Sequence, residues 1–217
     1  MEDNDEIESD KKDPNCLKIT LIGDSGVGKT CIINRYAQNE FTENTDSTLG
    51  VGYKKKAFEF NGKTYQLDLW DTAGQEQYRS VAKSFYINAA IGIMVYDIRR
   101  KSSFESIKEY WYEQMKESGE ENMILGIAGN KCDLFTEEEV TEKEVKKFAE
   151  SIGAVFKLTS CKENVGINEL FLECGKKFLE VNNLLKNDDK GKKDNENLKI
   201  DGKNDKNNGN KGIRKCC

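Results

Sequence analysis

Residues 17–30, LKITLIGDSGVGKT, constrain this chain more than any other segment. A short aliphatic run reads as a buried strand. It leads directly into GDSGVGKT at 23–30, which fits the pattern G-x-x-x-x-G-K-[ST] and opens a helical pattern near 28–38. Gly23, Gly26 and Gly28 let the backbone curl so that its N–H groups and the helix N-terminus point at phosphate oxygens. Lys29 adds a charge for the β and γ phosphates, and the Thr30 hydroxyl can ligate Mg2+. The cradle so defined comprises Asp24, Ser25, Gly26, Val27, Gly28, Lys29, Thr30 and Cys31.

Beyond this segment, apolar runs at 67–70, 91–97, 123–130 and 154–160 read as strands mostly buried on both faces. Candidate helices alternate with them near 76–87, 103–118, 141–152 and 167–181. That order predicts an α/β fold, a doubly wound and mostly parallel six-stranded sheet with about five flanking helices. One pair breaks the parallel rule. AFEF and KTYQLDL flank Asn61-Gly62, a dipeptide that favours the tight turn of an antiparallel hairpin.

The chain is 217 residues long and only 36% hydrophobic, and its two ends account for the deficit. Residues 1–16 contain seven acids and no aromatic side chain, and residues 182–217 are dominated by Asn, Lys, Asp and Gly. Neither end can bury enough surface to offset its ordering entropy, so both are expected to be disordered around one domain at 17–181. A net charge of -5 argues against nucleic acid as a partner, because phosphate backbones select a basic face. Seven cysteines without metal-ligand spacing read as reduced thiols. No signal peptide and no spanning segment are expected, which leaves lipid or a partner as the route to a membrane.

A phosphate cradle does not name a base. NKCD at 130–133 ends a buried strand at the carboxyl edge of the sheet, where ligands bind in such folds. The Asp133 carboxylate offers acceptors to the N1–H and 2-amino donors of guanine, which adenine lacks, so GTP is expected over ATP. Asn130 and Lys131 belong to the same turn, and Ser160, Cys161 and Lys162 in TSCK end the next strand, within reach of the guanine oxygen. DTAGQE at 71–76 follows the strand LDLW, placing Asp71 where a carboxylate can reach Mg2+. Gly74 can bring an N–H to the γ phosphate, and Gln75 can orient an attacking water.

Taken in this order, GDSGVGKT, WDTAGQE, NKCD and TSCK resemble the Ras superfamily, and WDTAGQE with MVYDI and a terminal Cys-Cys resembles its Rab branch. The resemblance covers residues 17 to about 181 and implies a G domain with two nucleotide-sensitive switches and a role in vesicle trafficking. It assigns Thr48 as γ-phosphate sensor and Mg2+ ligand beside Thr30 and Asp71, and Phe41 as the aromatic against guanine. It implies an effector surface at Tyr53, Trp70 and Phe85, although Trp70 and Phe85 are equally readable as core packing. LGVGY and FYINA depart from the IGVDF and YYRGA common in the branch, which leaves nucleotide chemistry intact and effector identity open.

The implied catalytic residues are Gln75, Lys29 and Gly74, with Mg2+ as cofactor and GTP or GDP bound. No arginine lies between Tyr36 and Thr48, so slow turnover that depends on an activating protein is expected. The family further implies an exchange factor, a solubilising carrier and effectors, with the domain itself monomeric. Cys216 and Cys217 resemble a double geranylgeranylation signal, and two lipid chains suffice for stable residence on the cytoplasmic face of an intracellular membrane. From 186 to 217, ten basic and six acidic residues leave +4, a small electrostatic addition. The rival readings are a P-loop ATPase or nucleotide kinase, against which NKCD argues, and a GTP-holding module without hydrolysis, against which Gln75 argues.

Overall fold

A computed structural model of the chain describes residues 15–43, 48, 51–72, 87–118 and 122–182. Six strands form one sheet: β1 (Cys16–Ile22), β2 (Val51–Phe60), β3 (Lys63–Thr72), β4 (Ile91–Asp97), β5 (Ile124–Asn130) and β6 (Val155–Thr159). Their order across the sheet is β2-β3-β1-β4-β5-β6. Only β2 and β3 pair antiparallel, and every other neighbouring pair is parallel. The tight turn between β2 and β3 carries Asn61 at φ 51° and Gly62 at φ 75°, the two left-handed positions that a type I′ turn requires.

Four helical runs accompany the strands among the described residues. They are α1 (Lys29–Gln38), α2 (Lys101–Ser106, continued by a π-helical turn Ile107–Trp111 and by Tyr112–Ser118), α3 (Glu142–Ser151) and α4 (Ile167–Val181). A 3-10 turn at Cys132–Glu137 was not expected, and the helix expected over 76–87 lies outside the described residues apart from its last position.

Hydrophobic patterning follows from position in the sheet. All seven residues of the central strand β4 are buried, whereas four of the five in β6 are only half-buried. Burial on both faces therefore fails for β6, because a strand at the sheet edge has one neighbour fewer to cover it. One side of the sheet packs Met94, Tyr96 and Ile127 against Phe104, Ile107, Trp111 and Val145. On the other, Tyr36 of α1 stacks on Phe171 of α4 with centroids 3.8 Å apart, and Gly175 leaves room for the Phe58 ring.

The strand order turns at β1, which has β3 on one side and β4 on the other. In an open parallel sheet this reversal opens a crevice beyond the carboxyl ends of the strands. The chain leaves β1 at that point and enters α1 through residues 23–28.

Candidate functional site

Two glycines let the loop at the end of β1 approach its neighbours. Gly23 has φ 141°, and a Cβ there would lie 2.2 Å from the Val95 carbonyl oxygen; one on Gly28, at φ 99°, would lie 2.3 Å from Asn130 Nδ2. Neither position tolerates a side chain without moving backbone or the Asn130 amide.

Inside the loop, the Lys29 ammonium donates to the carbonyls of Gly23 at 2.8 Å and Asp24 at 2.9 Å. Lys29 is buried, and burial lowers its pKa from 10.5 to about 8 even though Asp71 and Asp24 favour the charged form. Thr30 Oγ1 and Thr48 Oγ1 lie 2.7 Å apart, which brings the start of α1 and a position 18 residues later into one cluster. Asp71, near the end of β3, is buried. Burial pushes its carboxyl pKa up, while the Thr30 hydroxyl and Lys29 pull it down. Among the described residues its Oδ1 has no hydrogen-bond partner. An unsatisfied buried carboxylate oxygen beside hydroxyl donors fits a hard divalent cation such as Mg2+, which takes few protein ligands and keeps the rest for water and phosphate.

At the opposite end, the Asn130 amide donates to the Val27 carbonyl at 2.8 Å and accepts from Thr159 Oγ1 at 3.2 Å. Ser160 Oγ donates to Asp133 Oδ1 at 2.6 Å, orienting that carboxylate, and also receives the Glu163 N–H. Lys131 takes a left-handed φ of 66°, which sends its ammonium to the Gly26 carbonyl and to Asp97, each at 2.8 Å. Arg35 of α1 donates to the Cys161 carbonyl at 2.7 Å and lies 5.8 Å from the Phe41 ring centroid.

An open cleft of about 380 Å³ joins the two ends. Ser25, Gly26, Gly28, Lys29, Thr30, Cys31 and Thr48 line one part, and Phe41, Asn130, Lys131, Asp133, Cys161 and Lys162 line the other. Four cations, Lys29, Arg99, Lys131 and Lys162, face two carboxylates, Glu43 and Asp133, a balance that suits a polyanion carrying one hydrogen-bonding base.

Residues 18–180 match the model of the Ras family. The chain is 38% identical over 175 residues to the Ras-related protein Rab-22A of Homo sapiens, covering 81% of this chain and 90% of that protein. It is 43% identical over 155 residues to the Ras-related protein Rab-31 of Mus musculus, with 71% and 79% covered. Rab-19 of Homo sapiens is 37% identical over 169 residues, with 77% of each chain covered. The chain belongs to the Rab branch of the Ras family.

As a Rab-like small GTPase of vesicle trafficking, it shares the nucleotide-binding, generally Mg2+-dependent chemistry of that family, and neither a metabolic P-loop kinase nor an inert GTP-holding module is favoured. Of the residues singled out in this Rab's sequence, Asp24, Val27, Asp71 and Ser160 do not line the cleft. They stand behind it: Asp24 accepts from Trp111 Nε1 at 3.0 Å, Val27 offers its carbonyl to Asn130, and Ser160 steers Asp133. Tyr53 is exposed and Trp70 half-buried on the face of the β2–β3 pair, with their rings edge to face at 5.3 Å and Lys18 over Trp70 at 4.8 Å. Trp70 thus packs against its neighbours on one side and meets solvent on the other. Gly74, Gln75, Phe85, Cys216 and Cys217 lie outside the described residues.

Residues outside the expected set also line the cleft. Arg99 lines the cleft and grips Asp97 through Nε at 3.2 Å and NH2 at 3.1 Å, while Glu43, Thr72 and Leu134 also line it. Burial raises the Asp97 carboxyl, but Arg99 and Lys131 outweigh it and hold the group below the usual carboxylate range. A usable signal existed: Arg99 and Arg100 come one residue after β4 ends, near the carboxyl edge of the sheet where the other site residues gather.

Proposed function

We propose that the cleft binds GTP and GDP with Mg2+ and selects guanine through Asp133. In this reading the chain is a slow timer, active toward effectors while GTP is bound. The observation that carries it is the Asn130 amide, which links the base-reading end to the phosphate end through the Val27 carbonyl, so one ligand spans both. Guanine is read by Asp133, held by Ser160, with Phe41 against the ring and the Cys161 segment near the base oxygen. Loop amides from Ser25 to Cys31 and the Lys29 ammonium hold the phosphates.

Thr30, Thr48 and Asp71 are the residues to hold Mg2+, whose bound charge compensates the β and γ phosphate oxygens. Gln75 orients the attacking water, and Gly74 directs an amide to the γ phosphate. No arginine lies between Tyr36 and Thr48, which fits slow intrinsic turnover and an activating protein that raises it about 10³- to 10⁵-fold.

The proposed arrangement places an acidic extension at 1–16, the G domain at 17–181 and a tail at 182–217 whose Cys216 and Cys217 carry the lipid anchor. Membership of the branch supports regulators and effectors in general; the proposal adds an exchange factor, an activating protein, a carrier, an effector surface at Tyr53, Trp70 and Phe85, and residence on a cytoplasmic membrane face. Competition between GTP and ATP, with single-turnover hydrolysis of wild type and Gln75→Leu, tests the core of the proposal. Strong GTP preference and a Gln75→Leu variant that binds GTP but hydrolyses it far more slowly are expected. Equal affinity for both nucleotides overturns guanine selection, and an unchanged rate overturns the role of Gln75.

A further inference from the structure

Three consecutive carbonyls of the phosphate loop are held by side chains of other elements. Val27 is held by Asn130 and Gly26 by Lys131, both from the motif that follows β5. The third, Ser25, accepts from Arg100 NH2 at 2.8 Å. No motif in the sequence calls for that arginine.

A peptide group is planar and trans, so its carbonyl and the N–H of the next residue point in opposite directions. A carbonyl tied to a side chain therefore fixes the following N–H on the opposite side. Holding Ser25, Gly26 and Val27 aims the amides of Gly26, Val27 and Gly28 away from the clamps, and Gly26 and Gly28 line the cleft. Amides fixed before the ligand arrives lose no freedom on binding it.

Arg100 is itself fixed at the first turn of α2. Its N–H donates to the Asp97 carbonyl at 2.9 Å, and its carbonyl accepts from Ser103 Oγ at 2.6 Å. The same helix holds Asp24 through Trp111. Arg100 Nε is buried with no hydrogen-bond partner among the described residues, so the side chain's hydrogen bond there is the one its NH2 makes to the Ser25 carbonyl.

We infer that Arg100 is a positioning residue of the nucleotide site, acting through the Ser25 carbonyl to preset the Gly26 amide for the phosphates of a guanine nucleotide. The inference rests on the reading of the cleft as a guanine-nucleotide site. It assigns Arg100 no contact with the ligand.

The test uses the full-length chain with Mg2+ and times the release of a fluorescent GDP into excess unlabelled GDP. Loss of one such hydrogen bond predicts that Arg100→Ala releases GDP about 3- to 10-fold faster. Arg100→Lys, whose ammonium can donate to the same carbonyl, restores most of the retention. GMP, measured by competition, loses less affinity than GDP because it presents one phosphate fewer to the misaimed amides. A general loosening of the domain would weaken both nucleotides alike and would not be rescued by lysine. Unchanged GDP release, or GMP losing as much as GDP, overturns the inference. Wild-type protein that binds no GDP overturns the functional reading and this inference with it, whereas wild type that binds GDP beside an unaffected Arg100→Ala overturns the inference alone.

Discussion

At the scale of single residues, Lys29 shows how burial and function oppose each other. Its ammonium is desolvated, which moves the pKa from 10.5 to about 8. Between those values the unfolded chain binds a proton that the nucleotide-free folded chain has lost, so this group makes stability rise with pH across the window, and its charging cost is fully present below about 8. Phosphates favour the ammonium, so nucleotide binding takes up a proton above about 8 and affinity is expected to fall as pH rises from there. Titrating GDP affinity across this range, with Lys29→Met as a weaker binder lacking the slope, checks the assignment. Asp133 makes a second prediction. Ser160 engages its Oδ1, and replacement by alanine leaves two guanine donors unpaired at about 1 to 3 kcal/mol each. The ratio of GTP to ATP affinity is expected to collapse in Asp133→Ala, and an unaltered ratio would reject the base-reading role.

At the scale of elements, two glycines with nearly equal φ are expected to respond differently. Gly62, in the hairpin between β2 and β3, has φ 75° and nothing within 4 Å of an added Cβ. Alanine there meets only the left-handed penalty of about 1 to 2 kcal/mol. Gly166 caps α4 at φ 72°, but its added Cβ would lie 1.9 Å from the Leu158 carbonyl oxygen at the end of β6. Alanine at 166 carries the same penalty plus a backbone shift, so its cost exceeds that of Gly62→Ala. Denaturant unfolding of both variants measures the difference, and equal midpoints would show that α4 shifts freely. The shift would reach the site, because β6 runs into Ser160 and Cys161.

For the molecule as a whole, the proposed nucleotide site and the proposed lipid anchor lie in separate parts of the chain. Replacing Cys216 and Cys217 together by Ser is expected to leave GTP binding and hydrolysis intact in purified protein while releasing the chain from membranes in cells. Replacing Cys217 alone is expected to release only part of it, since one lipid chain binds reversibly and two hold far longer. Fractionation of cells with mass spectrometry of the terminal peptide reads both outcomes. A double variant that stays on membranes would point to attachment through a protein.

The glycine loop at 23–30, the hairpin at Asn61-Gly62 and the turn at 130–133 were legible in the sequence because their chemistry is local. A left-handed turn needs glycine or asparagine, and a curled amide loop needs glycines at fixed offsets. Alternating strand and helix patterns carried the sheet for the same reason: each element's burial is written in its own periodicity. Tertiary structure alone decided the rest. The sequence puts Arg99 and Arg100 near the carboxyl edge of the sheet, but that Arg99 lines the cleft and Arg100 reaches the Ser25 carbonyl depends on β4 lying next to β1, which nothing in residues 99–100 records. The half-burial of β6 depends on its place at the sheet edge, and Trp70 meets Tyr53 only through the register of an antiparallel pair. Which carbonyl an arginine reaches and which face a tryptophan covers depend on distances between segments far apart in the chain, so those contacts exist only once the sheet has brought the segments together.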